Sequence, residues 1–103
     1  MKNLEDLIKI IRDRKSSKLD TSYTSNLISG GLPKCIQKLQ EEFDELKKAL
    51  DDNTNIVHET ADTIYHLLVT LETANVKFED VLIELERRKK QSGIEEKNSR
   101  KWN

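Results

Sequence analysis

The feature that most constrains this chain is a pair of helical patterns, 38–50 and 56–66, separated by the polar run Asp51–Asn55. Each carries acids three residues apart: Glu42 and Glu45 on the first, Glu59 and Asp62 on the second. A helix turns about 100° per residue, so side chains three apart are neighbours on its surface. A short polar break suits an antiparallel helical hairpin. Folded back in that way, the four carboxylates converge. Such a cluster repels itself unless a cation sits in it. Mg²⁺ takes oxygen ligands of this kind, together with water and phosphate oxygens.

The apolar residues indicate where the acids point. On the first helix Ile36, Leu39, Phe43, Leu46 and Leu50 form one stripe, the expected core face. Glu42 lies on its flank, Glu45 further round, and Glu41 almost directly opposite. On the second helix Ile56, Ile64, Leu67, Leu68 and Leu71 make the stripe, with Glu59, Asp62 and His66 on the far side. That far side also carries Val69 and adjoins Tyr65. Acids mixed with His, Tyr and Val are unusual on a solvent face, so this helix is expected to be covered on both sides, with its acids in a cleft. Acid pairs at this spacing also occur on solvated helices of highly charged chains. Spacing alone leaves a metal site and a solvated face both open.

Length and composition limit the rest. The 103 residues suffice for one domain, 1–103. With 36% charged residues, three Gly and one Pro, the composition suits helices rather than a sheet. The expected fold is an all-α bundle of four to five helices. Its core is thin, and dimerisation through the long helices would bury more. The single Cys35 excludes an intrachain disulfide and reads as a packing residue. No apolar run is long enough to span a membrane, and the N-terminus does not read as a signal peptide, so the cytoplasm is the expected location. Residues 41–62 hold eight acids against Lys47 and Lys48, whereas 87–101 hold seven basic residues against Glu95 and Glu96. That asymmetry fits a metal site with a polyphosphate ligand. Part of the basic run also suits a helix C-terminus. A balance that is not basic overall, without interleaved aromatics, argues against nucleic acid.

Along the chain, Asn3 can cap a first helix with Leu4, Leu7, Ile8 and Ile11 inward, ending near Lys15. Thr21 or Ser22 can cap a short second helix that Gly30 and Gly31 stop. Pro33 suits the first turn of the next helix. Lys34 and Lys38 lie one turn apart, placed either to face phosphate or to be solvated, with Lys38 in reach of Glu41 and Glu42. The second acidic helix should run to about Thr73. Phe78, Val81, Leu82 and Leu85 then stripe a last helix that Gly93 ends. His58 reads as a surface residue, His66 as structural or ligand-facing, and Trp102 has no place in the pattern.

The acid pattern E-E-x-x-E followed by E-x-x-D resembles that of the all-α, MazG-like nucleoside triphosphate pyrophosphohydrolases. Four segments narrow the resemblance to the phosphoribosyl-ATP pyrophosphohydrolases of histidine biosynthesis. They are D-T-S-Y-T at 20–24, K-L-Q-E-E-F-D-E at 38–45, E-T-A-D-T-I-Y-H-L-L-V at 59–69 and S-G-I-E-E-K-N-S-R at 92–100. The resemblance covers nearly the whole chain. It departs at Gln40, where relatives commonly have a small residue. It implies Mg²⁺-dependent hydrolysis of phosphoribosyl-ATP to phosphoribosyl-AMP and pyrophosphate. Glu42, Glu45, Glu59 and Asp62 would hold the metal, with Glu41 or Glu45 aiming the attacking water. Tyr23, Thr24, Lys34, Lys38, His66, Arg87, Arg88, Lys97 and Arg100 would meet the substrate. It further implies a homodimer or dimer of dimers, with the cyclohydrolase that follows in the pathway expected on a separate protein. Two alternatives stay open: a house-cleaning enzyme acting on another nucleoside triphosphate, and a non-catalytic helical interaction module.

Overall fold

The computed structural model describes residues 2–16 and 23–90. Expectations that fall on Thr21, Ser22, Lys97, Arg100 and Trp102 lie outside them; the last helix, expected to run up to Gly93, ends at Arg88. Five helices account for most of the described chain: α1 (Lys2–Ser16), α2 (Tyr23–Ser29), α3 (Leu32–Asp52), α4 (Ile56–Thr73) and α5 (Phe78–Arg88). No strand occurs among the described residues.

The antiparallel α3–α4 hairpin is the frame. Its turn is three residues long, and Asn53 (φ 55°) and Asn55 (φ 53°) both adopt the left-handed conformation. Asparagine tolerates that region better than most side chains. The Asn53 N–H closes α3 on the Ala49 carbonyl, and the Asn55 carbonyl opens α4 by accepting from the Glu59 N–H at 3.0 Å. Two threonines then set the register. Thr63 Oγ1 shares its hydrogen between the Glu59 carbonyl at 2.7 Å and, across the contact, the Glu42 carbonyl at 3.3 Å; Thr70 Oγ1 does the same with the His66 carbonyl at 2.7 Å and the Cys35 carbonyl at 3.4 Å. The two bonds across the contact lie seven residues apart on both helices, as an antiparallel pair in constant register requires.

This contact overturns the expected core face of α3. Buried on α3 are Cys35, Glu42 and Ala49. The predicted stripe lies about a quarter-turn away: Ile36, Phe43 and Leu50 are exposed, and Leu39 and Leu46 half-buried. Small residues and threonine hydroxyls at the contact let the helices approach closely, which the bulkier stripe would prevent. On α4 the stripe is also partly outward: Ile64 and Leu67 are exposed, Ile56 and Leu71 half-buried, and Leu68 buried. The mixed face of α4 turns inward as expected, with His66 and Val69 buried.

α1 and α2 pack on that inward face. Ile8, Ile11, Leu27, Cys35, Leu68 and Val69 form the core, with Leu4, Leu7, Ile28, Tyr65 and Phe78 against it. Each large aliphatic buried there contributes about 1.5–3 kcal/mol. Cys35 Sγ donates to the Leu27 carbonyl at 3.4 Å and is a packing residue. Gly31 joins α2 to α3 at φ 89°, a conformation that favours glycine, and Pro33 follows in the first turn of α3.

Polar contacts hold the far end. The Arg12 guanidinium donates from Nε to both Glu72 carboxylate oxygens at 3.1 Å and from its two terminal nitrogens to Glu79 at 2.7 and 2.5 Å. Lys15 Nζ donates to the Glu72 carbonyl and to Asn75 Oδ1, both at 2.7 Å. One turn of α1 thereby ties the end of α4 to the start of α5. On α5 Phe78, Val81 and Leu82 are half-buried, whereas Leu85, expected in the stripe, is exposed.

Candidate metal and active site

The hairpin brings acids from both helices together. Carboxylate oxygens of Glu42, Glu45 and Glu59 lie within 4.8 Å of one another. So do ligand atoms of His58, Glu59 and Asp62. Glu59 belongs to both groups and joins them. A surface concavity of about 330 Å³, lined by Glu45, Ala49, Asn55 and Glu59 among others, adjoins the cluster on the side of the turn.

Burial gives the cluster its chemistry. Glu42 is only 6% exposed. Its Oε2 and that of Glu59 are both shielded from solvent, and neither has a hydrogen-bond partner. Buried polar atoms are normally paired, and an unpaired carboxylate oxygen is among the costliest to bury. Lys38 stands beside Glu42, its Nζ 3.7 Å from Oε1. Glu59 titrates above its ordinary value. Burial is the main cause, followed by the charge of Glu45 and a hydrogen bond with it, and His58 partly offsets the shift. Desolvated, mutually repelling oxygens with spare lone pairs suit a hard divalent cation, so the residues fit Mg²⁺.

The remaining predicted residues distribute as follows. Glu41 is exposed and belongs to neither group. Tyr23 and Thr24, at the start of α2, meet consecutive residues of α4. The Tyr23 hydroxyl lies 3.0 Å from His66 Nε2, and Thr24 Oγ1 bonds the Tyr65 hydroxyl. Tyr23 stays close to the cluster: burial raises its pKa, the negative charges of Glu42 and Asp62 add to that, and Lys38 opposes it. His66 is buried, and the rings of Tyr23 and Tyr65 stand edge-on to it at 5.9 and 5.4 Å. Lys34 is exposed one turn before Lys38. Arg87 and Arg88 both donate to Glu84 within α5.

Two residues were missed by sequence reasoning. His58 is 69% exposed at its side chain, in keeping with a surface residue, yet its Nε2 lies 3.3 Å from Asp62 Oδ2. The four-residue spacing on one helix was the available signal. Tyr65, bonded to Thr24 and edge-on to His66, was signalled by its place beside the acid face and by the 59–69 segment that carries the resemblance.

Among the described residues the fold is all-α, with a helical hairpin on which carboxylates from two helices converge. The family model described as phosphoribosyl-ATP pyrophosphohydrolase matches residues 4–89. Similar proteins include the phosphoribosyl-ATP pyrophosphatase of Rhizobium etli, 43% identical over 100 residues, covering 95% of this chain and 94% of that protein. The phosphoribosyl-ATP pyrophosphatase of Methylobacterium nodulans is 44% identical over 100 residues, with the same coverage. The chain belongs to the phosphoribosyl-ATP pyrophosphohydrolase family.

Proposed function

We propose that this chain hydrolyses phosphoribosyl-ATP between its α and β phosphates, giving phosphoribosyl-AMP and pyrophosphate in the second step of histidine biosynthesis. Glu42, Glu45, Glu59 and Asp62 are the residues that would hold Mg²⁺. The observation that carries the reading is the pair of buried, unpartnered oxygens, Glu42 Oε2 and Glu59 Oε2, inside an acid cluster of a chain from this family. Phosphoryl transfer needs positioning, charge neutralisation and an aimed water more than covalent chemistry. When bound, Mg²⁺ supplies the charge neutralisation.

The chain's own residues do the rest. Glu42 and Glu59 present oxygens already stripped of water, so little solvent must leave when a cation arrives. Glu45 is the exposed carboxylate of its group, and its charge, second to burial, helps raise the pKa of Glu59. It is the group we assign to orienting the attacking water, in preference to Glu41, which stands outside both groups. Lys38, beside Glu42, and Lys34 one turn earlier face the phosphates. Tyr23 borders the cluster from α2.

The same reading makes the chain a homodimer or dimer of dimers working in the cytoplasm. Support for pairing comes from the outward apolar residues, Ile36, Phe43 and Leu50 on α3 and Val57 and Ile64 on α4, which recur at seven-residue steps. No helix among the described residues is long and apolar enough to cross a membrane.

Pyrophosphate release from phosphoribosyl-ATP with Mg²⁺, compared for wild type and Glu42→Gln, tests the proposal. Wild-type release that falls by about 10²-fold or more in a folded variant supports it. Faster cleavage of dCTP or dUTP than of phosphoribosyl-ATP would point to the house-cleaning alternative.

A further inference from the structure

The acid cluster does not end with the four carboxylates assigned above. His58, one turn before Asp62, closes a second group with Glu59 and Asp62, all three ligand atoms lying within 4.8 Å. Its Nε2 is the ring nitrogen turned toward the site, 3.3 Å from Asp62 Oδ2. Two ligands at right angles on bonds of ~2.1 Å are roughly 3.0 Å apart, so the two atoms are spaced as neighbours in one coordination shell. Glu59, common to both groups, is the carboxylate that joins this position to the other. Glu42 supplies the independent sign of a missing ligand: it is more than nine-tenths buried, with one oxygen unpartnered, in the group that shares Glu59.

We infer that His58, Glu59 and Asp62 form a mixed nitrogen–oxygen position for a divalent cation, and that the His58 imidazole biases it toward first-row transition ions such as Mn²⁺. The inference rests on reading the acid cluster as a metal site and adds a ligand of different chemistry to it. Carboxylates alone suit Mg²⁺, Ca²⁺ and Mn²⁺, whereas an imidazole nitrogen adds affinity for transition ions and little for Mg²⁺. The competing account is a solvated His–Asp pair one helical turn apart, which contributes almost nothing.

Mn²⁺ binding to the full, untagged chain distinguishes the two. Electron paramagnetic resonance would count bound Mn²⁺, and electron spin echo modulation would detect a ¹⁴N nucleus directly coordinated to it. Wild type should bind Mn²⁺ with ¹⁴N modulation. In His58→Gln the modulation should vanish and Mn²⁺ affinity at that position fall about tenfold or more, with Mg²⁺ affinity nearly unchanged. His58 is exposed, so the variant should fold, and circular dichroism checks that it does. Mn²⁺ bound equally by wild type and His58→Gln, without ¹⁴N modulation, overturns the role of His58 and leaves the carboxylate site standing. No Mn²⁺ or Mg²⁺ bound by wild type, with Glu42→Gln behaving identically, overturns the metal site itself and this inference with it.

Discussion

The Tyr23 hydroxyl lies 3.0 Å from His66 Nε2, while His66 Nδ1 lies 2.8 Å from the Asp62 backbone carbonyl. A carbonyl only accepts, so Nδ1 carries the hydrogen, and in the neutral ring Nε2 accepts from the Tyr23 hydroxyl. Both nitrogens of this buried ring are thus used within the chain. His66 pins α2 to α4 one turn from Asp62 rather than presenting a free nitrogen to the substrate.

Tyr23→Phe keeps the ring and removes the donor. It should cost about 1 kcal/mol of stability and lower kcat/KM by about tenfold through misplacement of the cluster's neighbours. Urea unfolding and steady-state kinetics measure the two effects. An unchanged kcat/KM would show that the pin does not position the site.

Glu59→Gln removes one of the repelling charges. Glu59 titrates above its ordinary value because of burial and Glu45. An acid with a raised folded pKa favours the fold below its unfolded pKa, and that contribution is lost as pH rises through the folded pKa. At pH 7 without metal, the variant should therefore melt at a higher temperature than wild type while losing pyrophosphate release. Calorimetry in chelator checks the first part. A lower melting temperature would show that Glu59 is stabilised by something other than a cation.

The Arg12 guanidinium and a backbone hydrogen bond hold the Glu79 carboxyl down to about 2 from 4.5. A depressed acid contributes stability above its unfolded pKa, which is lost as pH falls through the folded value. Acid unfolding of wild type should accordingly include a component between about pH 4.5 and 2 that Glu79→Gln lacks. Identical acid profiles would show that the solvent-exposed pair is screened into irrelevance.

Phe43→Glu places a charge on the outward stripe of α3, where the native ring is 48% exposed in the single chain. If two copies pair there, sedimentation should show the variant as a monomer, since an unpaired charge in an apolar contact costs several kcal/mol. A variant that sediments like wild type would move the interface elsewhere.

The helices were legible because their boundaries are written locally. Pro33 lies in the first turn of α3 and α4 ends at Thr73, as their patterns predict, whereas Asp51 and Asp52, expected in the turn, continue α3 and leave only residues 53–55 to make it. The faces were less legible. Periodicity finds an apolar stripe but cannot say whether that stripe meets its own chain. On α3 Cys35 and Ala49, small and unremarkable in sequence, took the inner position from Ile36, Phe43 and Leu50. The convergence of Glu42, Glu45 and Glu59 was readable from spacing plus a hairpin. The desolvation of Glu42 was not, because it depends on what α3 packs against. The Arg12 clamp joins residues 60 and 67 positions apart and left no local trace.

The three-residue turn at Asn53–Asn55 also acts as a ruler. Glu45 and Glu59 come from opposite sides of it, so their separation depends on how many residues the loop contains. One inserted residue would advance α4 by about 1.5 Å and rotate it by about 100° if the strand of helix simply followed on, carrying Glu59 out of reach of Glu42 and Glu45 while every carboxylate remained in the sequence.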